Sequence, residues 1–232
     1  MRVDSNDQAA GLRRRSAQAQ IACIYCFFDT AEWTASLTRN LHDAGQTPLL
    51  IDRRGRLFGA AQTRSLFDWK QQLGRGELHT LPLQYGQGWY APGVRADDPA
   101  LREMARAYDS LVFDEDPSGA DLILMPNAHQ SFLVEVRASK QSMLRAFTLL
   151  KALSHYAGGH GKLVLLGDLD ACAHVLSAAN HFLPHDFARA ISCAARIDAV
   201  FSALAVRMPG EETSRETRFK TENDESMALK HG

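Results

Sequence analysis

Four short apolar runs constrain the fold of this chain more than any other feature: IACIYCFF (residues 21–28), LLID (49–52), SLVF (110–113) and KLVLLG (162–167). None alternates apolar with polar residues, so each reads as a strand buried on both faces, the pattern of a parallel sheet. Between the first two lies TAEWTASLTRNLHDAG, with Trp33, Leu37 and Leu41 at helical spacing. It opens near Thr30, carries Glu32 and Trp33 in its first turn, and stops at Gly45 as a helix-terminating glycine should. Strand, helix and strand within about 30 residues make a βαβ unit.

The pattern continues along the chain. Residues 53–95 are rich in Gly, Pro and aromatics and read as loop or a short edge element. PALREMARAY (99–108) reads as a helix running into DSLVFDED, a strand whose carboxyl end carries Asp114, Glu115 and Asp116. ADLILMPN (120–127) reads as a further buried strand, and residues 131–159 as a long helical stretch closed by Gly158 and Gly159. GKLVLLGDL is a strand, DACAHVLSAANHFL (170–183) a helix, and DAVFSALAVR (198–207) the last strand or helix. This order predicts an α/β fold: a doubly wound, mostly parallel sheet over residues 21–208. Residues 1–20 and 209–232 are polar and read as flexible tails.

Composition excludes little but sets bounds. At 232 residues, 45% hydrophobic and 23% charged, the chain is long enough for a sizeable core. A net charge of -1 and a pI near 6.8 give no global reason to expect nucleic acid or an anionic membrane as partner. No apolar run reaches the roughly 20 residues of a membrane span, and no hydrophobic signal region opens the chain, so a cytoplasmic location is expected. Four cysteines then read as reduced thiols.

Several of these segments resemble a known family. The run LTRNLHDAGQTPLLIDRRGRLFG (37–59) resembles the helix and second strand of the MinD/ParA-type P-loop ATPases. YDSLVFDED resembles their Walker B strand, and residues 120–153 their following strand and helix. Ahead of the domain, DQAAGLR (7–13) resembles the D-Q-A-x-x-L-R element of the flagellar-number regulators of that family, the FlhG or FleN type. In that group the element is an activator helix that docks on the signal-recognition-type flagellar GTPase (FlhF type) and stimulates its GTP hydrolysis. The resemblance implies that Asp7, Gln8, Ala9, Leu12 and Arg13 form the partner-binding face. Flagellar switch proteins or a flagellar transcription activator are the further partners it implies, with recruitment to the cell pole by the partner.

The residues themselves agree with such a use. At about 100° per residue, Gln8, Ala9, Leu12 and Arg13 fall within an arc of roughly 140°, leaving Ala10 and Gly11 on the far side. Ser5 and Gln8 have capping-box spacing. GTP hydrolysis needs a positioned water and charge stabilisation on the phosphates, which glutamine and arginine supply in GTPases generally. Gln8 is therefore expected nearest the partner's nucleotide, with Leu12 as anchor and Arg13 pairing with acidic or phosphate groups.

The chain departs from the family where nucleotide would bind. A phosphate cradle needs glycines and a lysine after the first strand. Here no glycine occurs from residue 13 to 44, and the first lysine is Lys70. FFDTAEWTA stands in that position, where Phe27, Phe28 and Trp33 are bulky and Asp29 and Glu32 repel a triphosphate. The second strand keeps Asp52 but continues RRGR, and the strand at Asp114 continues EDPSGAD. These losses predict a pseudo-ATPase with no ATP or magnesium cofactor, no catalytic residues, and Asp52 and Asp114 as relics of a nucleotide site or structural groups. The alternative is a nucleotide-binding ATPase or other α/β hydrolase using an altered site at Asp52 and Asp114, with Asp168 and a metal.

Other constellations are weak. Cys23 and Cys26 have C-x-x-C spacing, but positions three apart on a strand face opposite sides, which favours buried apolar cysteines. Cys172, His174, His181 and His185 lie close in sequence, yet Pro184 interrupts the helix that His181 and His185 would share. No metal site is expected. Asp168 and Asp170 follow a strand, a place where α/β enzymes often keep catalytic acids and where capping a helix accounts for them equally.

Overall fold

The computed structural model describes residues 21–57, 81–83, 86–90, 95–119, 122–156, 161–195 and 201. The segment carrying Asp7, Gln8, Ala9, Leu12 and Arg13, and the expected tails 1–20 and 209–232, lie outside the described residues.

The apolar runs become strands of one sheet. In chain order the elements are β1 (Ile21–Phe27), α1 (Ala31–Asp43), β2 (Pro48–Asp52), β3 (Leu81–Leu83), β4 (Gly86–Tyr90), α2 (Pro99–Ala105) and β5 (Ser110–Asp114). There follow β6 (Ala128–Val136), α3 (Lys140–Tyr156), β7 (Gly161–Gly167), α4 (Leu169–Phe182), α5 (His185–Arg189) and β8 (Ile191–Ala194). The sheet runs β3-β4-β2-β5-β1-β6-β7-β8. Every described pairing is parallel except β3 with β4, so the α/β, mostly parallel architecture holds.

β1 shows why such runs are uniformly apolar. Cys23, Tyr25 and Phe27 point into one core layer, and Ile24, Cys26 and Phe28 into the other. The first layer is closed by residues of α2, α3, α4 and α5, such as Leu101, Leu149, Val175 and Phe187. Leu37 and Leu41 of α1, together with Phe201, close the second. Fully burying each such side chain stabilises the fold by about 1.5–3 kcal/mol. Tyr25 is stacked between Phe113 and Phe132, with ring centroids 4.9 and 5.5 Å away.

α1 ends as its glycine demands. Gly45 has φ +81°, its amide donates to the His42 carbonyl at 2.9 Å, and the Gln46 amide donates to the Leu41 carbonyl at 3.1 Å. Together these bonds make a Schellman cap.

Two expectations need correction. ADLILMPN contributes no strand among the described residues; the strand is Ala128–Val136, and α3 begins only at Lys140. The displaced segment is anchored by side chains instead of a ladder: the Met125 amide donates to the Tyr25 hydroxyl at 2.8 Å, and Gln130 Nε2 donates to the Met125 carbonyl at 3.0 Å. Asn127, at φ +58°, then turns the chain into β6. The last described strand is the short ISCA of β8, which the sequence pattern did not single out, and in the segment expected as the last strand or helix the described residue, Phe201, is helical. The loosely patterned region after Arg53 supplies both β4, a parallel neighbour of β2, and the antiparallel edge strand β3.

Candidate functional site at the carboxyl edge of the sheet

The strand order creates a switch point at β1 and β5. From β1 the chain passes β5 to reach β2, and from β5 it passes β1 to reach β6, so the two connections leave in opposite directions. In open α/β sheets ligands bind at such a point, outside the carboxyl ends of the strands.

The register places Asp114 beside both Cys26 of β1 and Asp52 of β2. Both carboxylates have no solvent exposure, and both are engaged by the chain. Asp52 accepts from the amides of Gly55 at 2.8 Å, Arg56 at 3.3 Å and Leu57 at 2.9 Å, which fixes the turn leaving β2. Asp114 accepts both branches of the Arg56 guanidinium, with Nε at 2.7 Å, and the Thr34 hydroxyl at 2.8 Å. Burial pulls Arg56 down, but the hydrogen bonds and charge of Asp114 outweigh it and hold the guanidinium above the usual arginine range.

The arginines after β2 are therefore clamps rather than a solvated face. Arg53 grips both oxygens of Glu115 at 2.7 and 2.8 Å. Arg54 donates to the Phe28 carbonyl at 2.8 Å, and Arg56 Nη1 to the Asp29 carbonyl at 2.9 Å. On the other side of β1, Arg145 of α3 pairs with Asp29 at 2.7 Å. Glu135 of β6 accepts from the amides of Asp29 and Thr30 at 2.8 and 2.9 Å, and from the Thr30 hydroxyl at 3.0 Å. Arg137 completes the set by donating to Glu135 at 2.6 Å.

The turn joining β1 to α1 is thus held from both sides, its carbonyls by Arg54 and Arg56 and its amides by Glu135. It is three residues long, Phe28 to Thr30, whereas a Walker loop needs about eight residues with two glycines. A cavity beside it, lined by residues including Phe27, Asp29, Glu135, Ser142 and Arg145, has a volume of about 10 Å³. That holds roughly one water, whereas small-molecule sites span about 300–1,000 Å³.

Sequence reasoning found Asp52 and Asp114 but missed Arg53, Arg54, Arg56, Glu135, Arg137 and Arg145. One signal was available. Three arginines follow β2 and three acids close β5, and two strand ends of opposite charge in one parallel sheet invite pairing. For Glu135 the signal was a single acid inside the apolar run FLVEV.

Glu115 gives this edge a pH dependence. Burial pushes its carboxyl above its ordinary value in spite of Arg53. A raised folded-state pKa contributes stability that is present below the unfolded value, near 4.5, and lost as pH rises through the folded value. Glu115→Gln removes that loss, so its urea midpoint relative to the parent is expected to rise steadily from mildly acid to neutral pH. A constant difference would show that Glu115 does not titrate in this window.

The remaining groups have structural roles. Asp168 caps α4, accepting the Ala171 amide at 2.8 Å. Cys23 and Cys26 lie in opposite core layers and so do not ligate one metal together. Burial pushes the Cys23 thiol up to about 12, and burial with the charge of Asp114 raises Cys26 well above its ordinary value, so neither is nucleophilic at neutral pH. His181 and His185 fall on separate helices, α4 and α5. No helix among the described residues is long and apolar enough to cross a membrane.

No protein-family model and no curated protein matches the chain. Among solved structures it is similar to the MinD cell division protein of Aquifex aeolicus, with 15% identity, 66% of this chain and 72% of that chain covered, and a TM-score of 0.44. It is also similar to a chain of the MinC:MinD cell division protein complex of Aquifex aeolicus (15% identity, 79% and 86% covered, TM-score 0.49). A third similarity is to pNOB8 ParA bound to nonspecific DNA (16% identity, 88% and 99% covered, TM-score 0.40). These are distant likenesses of backbone arrangement, and no functional residue is carried over from them.

Proposed function

We propose that this chain is a regulator of MinD/ParA type whose α/β body works without hydrolysing ATP, and whose segment from Asp7 to Arg13 docks on a signal-recognition-type flagellar GTPase and stimulates it. In this reading the chain is a cytoplasmic GTPase activator that sets flagellar number or placement. The observation that carries the nucleotide-independent part is the occupation of the switch point from within the chain. Arg56 stands on Asp114 where a ligand's cation would go, and Glu135 holds the amides of Asp29 and Thr30 in the turn just ahead of α1. Asp52 and Asp114, the carboxylates an altered hydrolase would need, are committed to holding the chain's own groups.

The docking part is supported by the D-Q-A-A-G-L-R match and by the single helical face that Gln8, Ala9, Leu12 and Arg13 share. It is tested by the GTPase rate of the flagellar GTPase with the full chain, with Gln8→Ala, and with residues 1–20 deleted. The full chain is expected to raise the rate by at least about tenfold, and both altered chains to lose most of that gain. Equal stimulation by all three would place the activity in the α/β body, and stimulation by none would remove the proposal.

A further inference from the structure

The outer face of α3 and α4 carries an apolar ridge. Leu144 is 62% exposed and Phe182 70%. Phe182 of α4 meets Phe147 of α3 edge to face, with ring centroids 6.1 Å apart. Leu144 lies one helical turn before Phe147 and the exposed Lys151 one turn after it, all on one face of α3. Single exposed apolar side chains are ordinary, whereas a joined ridge marks a surface that something covers.

The charge of this face says what covers it. α3 holds Lys140, Arg145 and Lys151 and no acid, and α4 holds no acid after Asp170 in its first turn. His155 of α3 and His174 and His181 of α4 are exposed. Arg145 is paired with Asp29, and the acid of α5 is Asp186 in its first turn. An occupant of this face is therefore acidic and carries apolar side chains. The chain's own ENDESMAL (222–229) has that chemistry, with Glu222, Asp224 and Glu225 followed by Met227 and Leu229. Residues 1–20 have the wrong sign, with Arg13, Arg14 and Arg15 in succession. Length also permits the contact. Phe201 lies against Phe28 on the opposite face of the sheet, at the end of β1. From there the edge at β8 is three strands away, about 15 Å, whereas the roughly 20 residues between Phe201 and Glu222 span up to about 70 Å.

We propose that residues 222–229 dock on the α3–α4 face of the same chain, Met227 and Leu229 covering Leu144, Phe147 and Phe182, and Glu222, Asp224 and Glu225 facing Lys151 and the exposed histidines. A partner that uses this face competes with the chain's own acidic segment. The contact is separate from the Asp7 to Arg13 segment and stands or falls independently of it.

The test uses the full chain with a photoreactive phenylalanine analogue in place of Phe182, whose exposure leaves the core untouched. On illumination, position 182 is expected to become joined to a peptide from residues 219–232 of the same chain, identified by mass spectrometry. Lys151→Glu is expected to lower the yield at least about threefold without changing the melting temperature, and added salt to lower it further. A crosslink between two chains, seen as a dimer on a denaturing gel, assigns the face to a second copy and overturns the proposal. Crosslinks that never reach residues 219–232 overturn it too, as does a yield that Lys151→Glu leaves unchanged. If the analogue at position 182 disturbs the fold, the same analogue in place of Leu144 gives the same reading.

Discussion

Arg56→Leu is expected to destabilise the fold by about 3–5 kcal/mol, because it strips the partner from a carboxylate with no solvent exposure. Asp114 would keep only the Thr34 hydroxyl. Water does not reach it, and the cost is that of leaving a buried charge unpaired rather than of losing one attractive contact. The paired variant Arg56→Leu/Asp114→Asn isolates this cause. Asparagine keeps an acceptor for Thr34 without the charge, so the pair is expected to recover at least about half of the loss. Urea unfolding of the single and double variants gives the coupling directly. For a domain of this size the single change corresponds to a drop of about 10 °C in melting temperature. If the two losses simply add, Asp114 is reached by solvent and the clamp carries little energy.

Gly167→Ala is the second large effect, expected at about 2–3 kcal/mol. Gly167 ends β7 with φ +129°, and a Cβ there would stand 2.4 Å from the Val136 carbonyl oxygen. That oxygen belongs to β6 backbone and is held by the Asp168 amide at 3.0 Å, so it has little freedom to retreat. The strain falls between Glu135 and the α4 cap, and relieving it would separate the ends of β6 and β7. Equilibrium unfolding measures the loss. A change below about 0.5 kcal/mol would mean that the strand ends shift at little cost.

Much of the scaffold was legible because it depends on local pattern. The doubly buried run of β1, the spacing of Leu37 and Leu41 on α1, and the glycine that stops α1 are signals within one element, whereas the buried Thr34 and Thr38 of the same face were not legible. The displaced β6 shows where that legibility ends. ADLILMPN and SFLVEV are equally apolar neighbours, and only one finds a place beside β1. The choice is made by the Tyr25 hydroxyl and by the turn at Asn127, neither of which is visible in periodicity. The site was legible in its carboxylates and not in their partners. Arg56 meets Asp114 across 58 positions and Glu135 meets Thr30 across 105, distances over which pairing is set by strand order alone.

That last separation bears on how the chain acquires its structure during synthesis. β1, α1 and β2 do not form a finished unit when they are made, since β5 belongs between β1 and β2 and Glu135, which holds the turn leading into α1, is more than a hundred residues away. That segment holds apolar strands that lack a neighbour and a turn before α1 that lacks its carboxylate partner. Consolidation therefore waits for β6, which makes folding late, non-local and slow for its length. Until then the exposed runs of β1 and β2 are the stretches on which a chaperone would act.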